Sequence, residues 1–311
     1  MTIHQPTDEE TRLQAYNFWQ MRSGGHGFDK YDWLHAHNQI TLDKNFDCVA
    51  DYNLHEYKKL DAEKLDPLVC RYCGESSPVV TFDSKGHSIS DFWGAKIISP
   101  DECDTCNSIF QKCEDVLGKW SLSFRKAMQT RGRGGKKQVK AGDFSSRADG
   151  VNVFQASLKV LSAEQRIQML KALIKYGLAA MPNSHLNSFE KTKRWILSTD
   201  HSSNPEECKR LFVISSSVDC ENGHWQEAIS QVKVFLIKEE DEGNSGAMML
   251  FRVKSLAFQV AIPLSTNSAF RHKTTMQPIP AFTNFDQNYG APKRIGMTDI
   301  AGSSDIQFHM N

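Results

Sequence analysis

The sequence predicts an α+β fold: a zinc-stapled strand-and-helix core, a helical hairpin before it, and a helix with antiparallel strands after it. Three observations carry this. Two Cys-x-x-Cys pairs, Cys70/Cys73 and Cys103/Cys106, are separated by 29 residues. Apolar residues recur at helical spacing from Ile167 to Met181. Three later runs, VKVFLIK (232–238), AMMLFRVK (247–254) and LAFQVAIP (256–263), read as strands, the first two joined by a polar turn, EEDEGNSG.

In chain order, residues 8–42 read as a helical hairpin. Leu13, Tyr16, Phe18 and Trp19 form an apolar cluster, SGGHG breaks the run, and Asp29 to Ile40 resumes it with Trp33 and Leu34. Residues 46–66 read as a polar, partly helical connector into the cysteine motif. Between the cysteine pairs, VVTFDS (79–84) reads as a strand, with His87 at or just after a turn. The second pair leads into a helix with Ile109, Phe110, Val116 and Leu117 inward. Ser162 and Gln165 make a capping box for a helix whose Ile167, Leu170, Leu173, Ile174, Leu178 and Met181 share a face, and Pro182 stops it. A further helix is expected over Leu186–Leu197, and a polar, loosely packed tail over 265–311. The expected units are thus a hairpin (1–45), the zinc module with its lead-in (46–120), a basic loop (121–150), an α+β domain (151–264) and the tail.

At 311 residues, 40% hydrophobic and 24% charged, the chain is long enough for two or three folded units. No basic start followed by an apolar core and no run of 18 apolar residues occurs, so neither a secretory signal nor a membrane span is expected. Cys48, Cys113, Cys208 and Cys220 are scattered without framework spacing, which suits free thiols and a cytoplasmic location. The net charge of zero conceals a segregation. Residues 1–69 carry seven Lys/Arg against twelve Asp/Glu, and residues 119–147 carry nine against one. Arg125, Lys126, Arg131, Arg133, Lys136, Lys137 and Lys140 lie in this second block among four glycines. A flexible cationic segment of this kind suits contact with nucleic-acid phosphates; the plainer reading is a solvated linker.

The cysteine pairs carry the strongest signal. Four thiolates at this spacing are the sulfur set that Zn²⁺ prefers, and a closed four-sulfur site stabilises a fold and leaves no coordination position for chemistry. Any catalysis must come from what the staple holds in place. A lone histidine is more often structural than catalytic, but His87 is bracketed by the two knuckles. His35, His37, His185, His201, His224 and His272 lack ligand-like companions and read as surface or core residues.

The stretch from Cys70 to Trp120, through CRYCG, TFDSKGHSIS, Gly94, ECDTCN and FQKCED, resembles the HNH endonucleases, whose ββα-metal core is often clamped by two such knuckles. The basic RGRGGKKQ segment fits the branch of that family whose motif ends in Cys-Asp-x-Cys-Asn. The resemblance implies a ββα-metal nuclease core in which His87 activates water and Asn107 helps to bind a catalytic Mg²⁺ or Mn²⁺. It implies DNA as substrate, with RNA left open, and a place in bacterial phage defence or restriction. Many family members carry Asp or His before the base, where this chain has Gly86; Asp83, Glu102 or Asp104 are the oxygens left to supply the missing ligand. As an ordinary feature, Asn107 is a helix N-terminal residue and Asp104 a first-turn charge. Residues 11–40 are similar to a short bacterial helical domain of unknown function, which implies no activity. The alternatives are a zinc-knuckle nucleic-acid-binding protein without hydrolysis, or a nuclease kept silent until the C-terminal region senses a ligand or partner. A homo-oligomer or a regulatory partner stays open.

Overall fold

A computed structural model describes residues 4–21, 29–60, 67–84, 86–127, 145–146, 152–157, 161–201, 211–215, 230–238, 246–253, 256–263, 293–296 and 305–310. It is an α+β protein of helices and antiparallel strands. Helices α1 (Asp8–Met21) and α2 (Asp29–Asn45) pack on each other as the expected hairpin. Strands β1 (Phe46–Asn53) and β2 (Lys58–Lys59) follow, then β3 (Ile97–Ile98), α3 (Asp104–Trp120) and α4 (Leu122–Ala127). After these come β4 (Ser145–Ser146), β5 (Asn152–Ser157), α5 (Ala163–Ala180), α6 (Asn183–Leu186) and α7 (Glu190–Leu197). The remainder is β6 (Leu211–Ser215), β7 (Gln231–Ile237), β8 (Gly246–Val253), β9 (Leu256–Pro263), β10 (Lys293–Gly296) and β11 (Asp305–Met310). No helix among the described residues is long and apolar enough to cross a membrane.

Two stretches differ from the sequence reading. The lead-in at 46–53 is a strand, not a partly helical connector: β1 pairs antiparallel with β7, from Phe46 opposite Ile237 to Asn53 opposite Gln231. Its alternation of Phe46 and Ala50 inward with polar neighbours is short and broken by a register shift between Cys48 and Ala50, which hides the period of two. The polar tail also supplies strands, β10 against β6 and β11 against β5. The main sheet runs β1-β7-β8-β9-β6-β10, antiparallel throughout.

Helix α5 is the centre of the molecule. The Ser162/Gln165 capping box forms as expected, and from Met169 to Ala180 every residue is buried. A helix apolar on all sides must be covered on all sides. One flank meets the sheet, where Met249 and Phe251 of β8 and Phe258, Val260 and Ile262 of β9 alternate inward. Another meets α3, whose Cys106, Phe110, Cys113, Leu117 and Trp120 follow the helical repeat and are buried. Trp93 closes the gap directly, with its ring 5.4 Å from Phe251 and 6.2 Å from Phe258. A single apolar core therefore runs from Ala50 through the cysteine motif to Ile262.

Candidate functional site

Each Cys-x-x-Cys pair is formed by a local turn. The Cys70 carbonyl accepts from the Gly74 amide at 2.9 Å, and Gly74 sits at φ 76°, in the left-handed region where a side chain is strained. Cys103 caps α3, its sulfur accepting from the Cys106 amide at 3.5 Å. The four sulfurs lie within 4.8 Å of one another. Cys70 to Cys106 and Cys73 to Cys103 are both 3.8 Å. A tetrahedron of metal–sulfur bonds about 2.3 Å long has edges of about 3.8 Å, so the set fits Zn²⁺. As thiols the same residues compete for protons: the bond from Cys106 lowers Cys70 to about 4, while Cys106 is raised by Cys70 and burial raises Cys103 to about 11. A divalent ion removes that conflict by displacing the protons.

Between the pairs, the expected strand at 79–84 does not form. Its backbone is taken by Asp104 in the first turn of α3: the Asp104 amide donates to Thr81 O at 2.9 Å, and the carboxylate accepts from the amides of Asp83 and Ser84 at 3.0 and 2.8 Å. The hydroxyls of Thr81 and Ser84 bond the same carboxylate. These bonds hold Asp104 well below the usual carboxylate range, the Ser84 hydroxyl first among them. Tertiary hydrogen bonds outweigh β propensity here.

Beyond Ser84 the chain runs along α3. The Asn107 amide group reaches Ser84 Oγ at 3.4 Å, and Ser90 Oγ donates to Glu114 Oε2 at 2.6 Å. Asn107 and Glu114 are seven residues apart, almost two turns on one face and about 10 Å along the axis. His87 is midway along the segment spanning them. Its backbone is extended: Ser99 N donates to Gly86 O at 3.0 Å, Ser88 N donates to Ile97 O at 3.1 Å, and His87 bridges antiparallel to Ile98. Two short paired arms, 86–88 and 97–99, thus hold a half-buried histidine in the segment between the two cysteine pairs, ahead of α3.

The oxygen set expected for Mg²⁺ or Mn²⁺ does not come together around Asn107. A Cβ on residue 86 would stand 2.8 Å from Ser99 O and 2.9 Å from Glu102 Cβ, so an Asp or His before His87 is sterically excluded. Glu102 turns inward, fully buried, to Lys175, and burial pushes its carboxyl up to about 7. Asp104, expected as a possible ligand, spends both oxygens on the 81–84 loop. Among the described residues, the only cluster of three or more His, Cys, Asp or Glu side chains with metal-holding geometry is the four cysteines.

The basic block divides. Arg131, Arg133, Lys136, Lys137 and Lys140 lie outside the described residues. Lys126, at the end of α4, is half-buried. Arg125 is not a surface cation as expected. Its guanidinium donates to Gly118 O at 2.6 Å, Ser121 Oγ at 3.3 Å and Phe92 O at 3.4 Å, and lies 4.6 Å over the Phe92 ring. Burial lowers its pKa to about 10. Helical spacing missed this, because α4 starts one residue after α3 ends and so turns Arg125 back onto the C-terminal carbonyls of α3. Arg125→Ala should therefore lower stability by about 3 kcal/mol in denaturant unfolding and leave the salt dependence of any nucleic-acid binding unchanged.

Sequence reasoning also missed Arg71, Asp101 and Lys175, and it placed Glu102 at the metal and not beside Lys175. Arg71, inside the first knuckle, pairs with Asp101, just before the second, at 2.9 Å, both buried. Their only sequence signal was charge set among buried neighbours, which becomes legible once the cysteines are brought together.

No family model, curated protein or solved structure matches this chain.

Proposed function

We propose that the protein is a phosphodiester hydrolase of the HNH endonuclease type acting on DNA. The observation that supports it best is the setting of His87: half-buried, on a backbone pinned to 97–99, in the loop between the cysteine pairs whose Ser84 and Ser90 bond α3, the helix that begins at the four-cysteine cluster and carries Asn107 in its first turn. In this reading His87 takes a proton from water as the water oxygen bonds to phosphorus, and the P–O bond to the leaving sugar oxygen breaks with its electron pair on that oxygen, which takes a proton from solvent water. Zinc on Cys70, Cys73, Cys103 and Cys106 supplies rigidity alone. In the same reading Asn107, whose amide NH2 donates to Ser84 Oγ, uses its amide oxygen toward the phosphate or its metal ion.

Supercoiled plasmid incubated with the purified protein, with Mg²⁺, with Mn²⁺ and with no added divalent ion, tests the reading. Nicked or linear product is expected. DNA that is bound but intact under all three conditions would favour the zinc-knuckle binding protein instead. Because base-independent phosphate contacts release counterions, replacing Arg131, Arg133, Lys136 and Lys137 together should flatten the slope of log affinity against log salt by about 3 to 4. An unchanged slope would remove this segment from the interface.

A further inference from the structure

Lys175 lies in the turn before the last turn of α5 and is buried to 1% exposure among mostly apolar residues. Its ammonium sits in an oxygen shell. Glu102 Oε2 is 3.2 Å away, Glu114 Oε1 3.1 Å, His87 O 2.5 Å and Ser88 O 3.3 Å. Burial pulls its pKa down, but the two carboxylates outweigh this and raise it, so the group stays an ammonium. Ser90 extends the network by bonding both Glu114 and the Tyr176 hydroxyl, each at 2.6 Å.

This arrangement does more than fill space. A buried ion pair is seldom worth more than a well-packed apolar residue of the same volume, so packing alone does not call for a lysine here. What the ammonium adds is direction. Hydrogen bonds to two successive backbone carbonyls, from an ammonium held in place by ion pairing with two carboxylates, fix the orientation of the peptide planes after His87 and Ser88. On the opposite edge, the same three-residue arm is held by Ile97 and Ser99. His87 is clamped through its backbone from both sides, and one side of the clamp comes from a helix some 90 residues further along the chain.

We propose that Lys175 is a positioning residue for His87, so that α5 completes the hydrolytic site from beneath; this rests on the nuclease reading above. The test compares wild type with the charge-free triple variant Lys175→Met/Glu102→Gln/Glu114→Gln, and with Lys175→Arg, which keeps the charge but displaces the donors. Zinc content and near-ultraviolet circular dichroism identify the variants that fold. In a folded variant, plasmid turnover should fall about 10- to 100-fold while KM for DNA stays within about twofold, and the His87 ring resonances should shift. Wild-type turnover in a folded variant would overturn the proposal. If wild type itself cleaves nothing, the nuclease reading fails alone. The His87 resonances and Ser88 amide exchange then decide: both unchanged overturns the clamp, and a shift with faster exchange sustains it.

Discussion

With Zn²⁺ loaded on Cys70, Cys73, Cys103 and Cys106, its removal by a chelator should release helix α5 together with the two knuckles. The linkage runs through Arg71, which lies between the ligands of the first pair. Its guanidinium bonds Asp101 at 2.9 Å, Leu178 O at 3.2 Å, Ala179 O, and Asn183 Oδ1 at 3.0 Å. The carbonyls of 178 and 179 lie in the last turn of α5, where no further helical amide is available to satisfy them. Lys193 of α7 donates in turn to Arg71 O at 3.2 Å. With the knuckles open, a buried guanidinium and two helix-end carbonyls lose their geometry at once. Zinc in small four-ligand sites supplies about 10 to 16 kcal/mol of apparent binding energy, comparable with the whole stability of a domain. Chelator with thiol titration should therefore give one cooperative loss of near-ultraviolet signal, with amide exchange in 169–180 rising along with that of 70–74. Arg71→Ala, which leaves all four cysteines, should cost about 3 to 5 kcal/mol in denaturant unfolding because it strands Asp101. Persisting protection of α5 after complete chelation would show that the staple and the C-terminal fold stand apart.

The elements that were legible in the sequence are those whose signal is local. The α5 capping box needs only Ser162 and Gln165, and strands β7 to β9 announce themselves as short apolar runs bounded by polar turns. The four-cysteine cluster follows from spacing. What was hidden depends on partners distant in sequence. Strand β1 is a strand because β7 lies beside it, and β10 because β6 does. The 79–84 stretch has strand-like composition but gives its amides to Asp104. Arg125, by residue type a surface cation, is spent inside on Gly118 and Phe92. In the candidate site the same division holds. The places of His87 and Asn107 relative to the cysteine pairs follow from the linear motif, whereas the oxygen shell of Lys175 joins residues 87, 88, 102, 114 and 175 and has no linear pattern.

His87→Ala should reduce plasmid cleavage by about 10²- to 10⁴-fold, the usual worth of a general base, while DNA affinity and zinc content stay at wild-type levels. The separation is expected because the anchoring of this residue lies in its backbone. The bonds of the arm run through Gly86 O, Ser88 N and the carbonyls of His87 and Ser88, all of which an alanine retains. The residue is half-buried, so truncating it to alanine should leave a smaller void than truncating a fully buried leucine. If His87→Ala instead lost zinc, or cleaved as fast as wild type, the histidine would be a structural member of the 86–88 arm. A base would then have to be sought elsewhere along the α3 face, where the Glu114 carboxylate is already committed to Lys175 and Ser90.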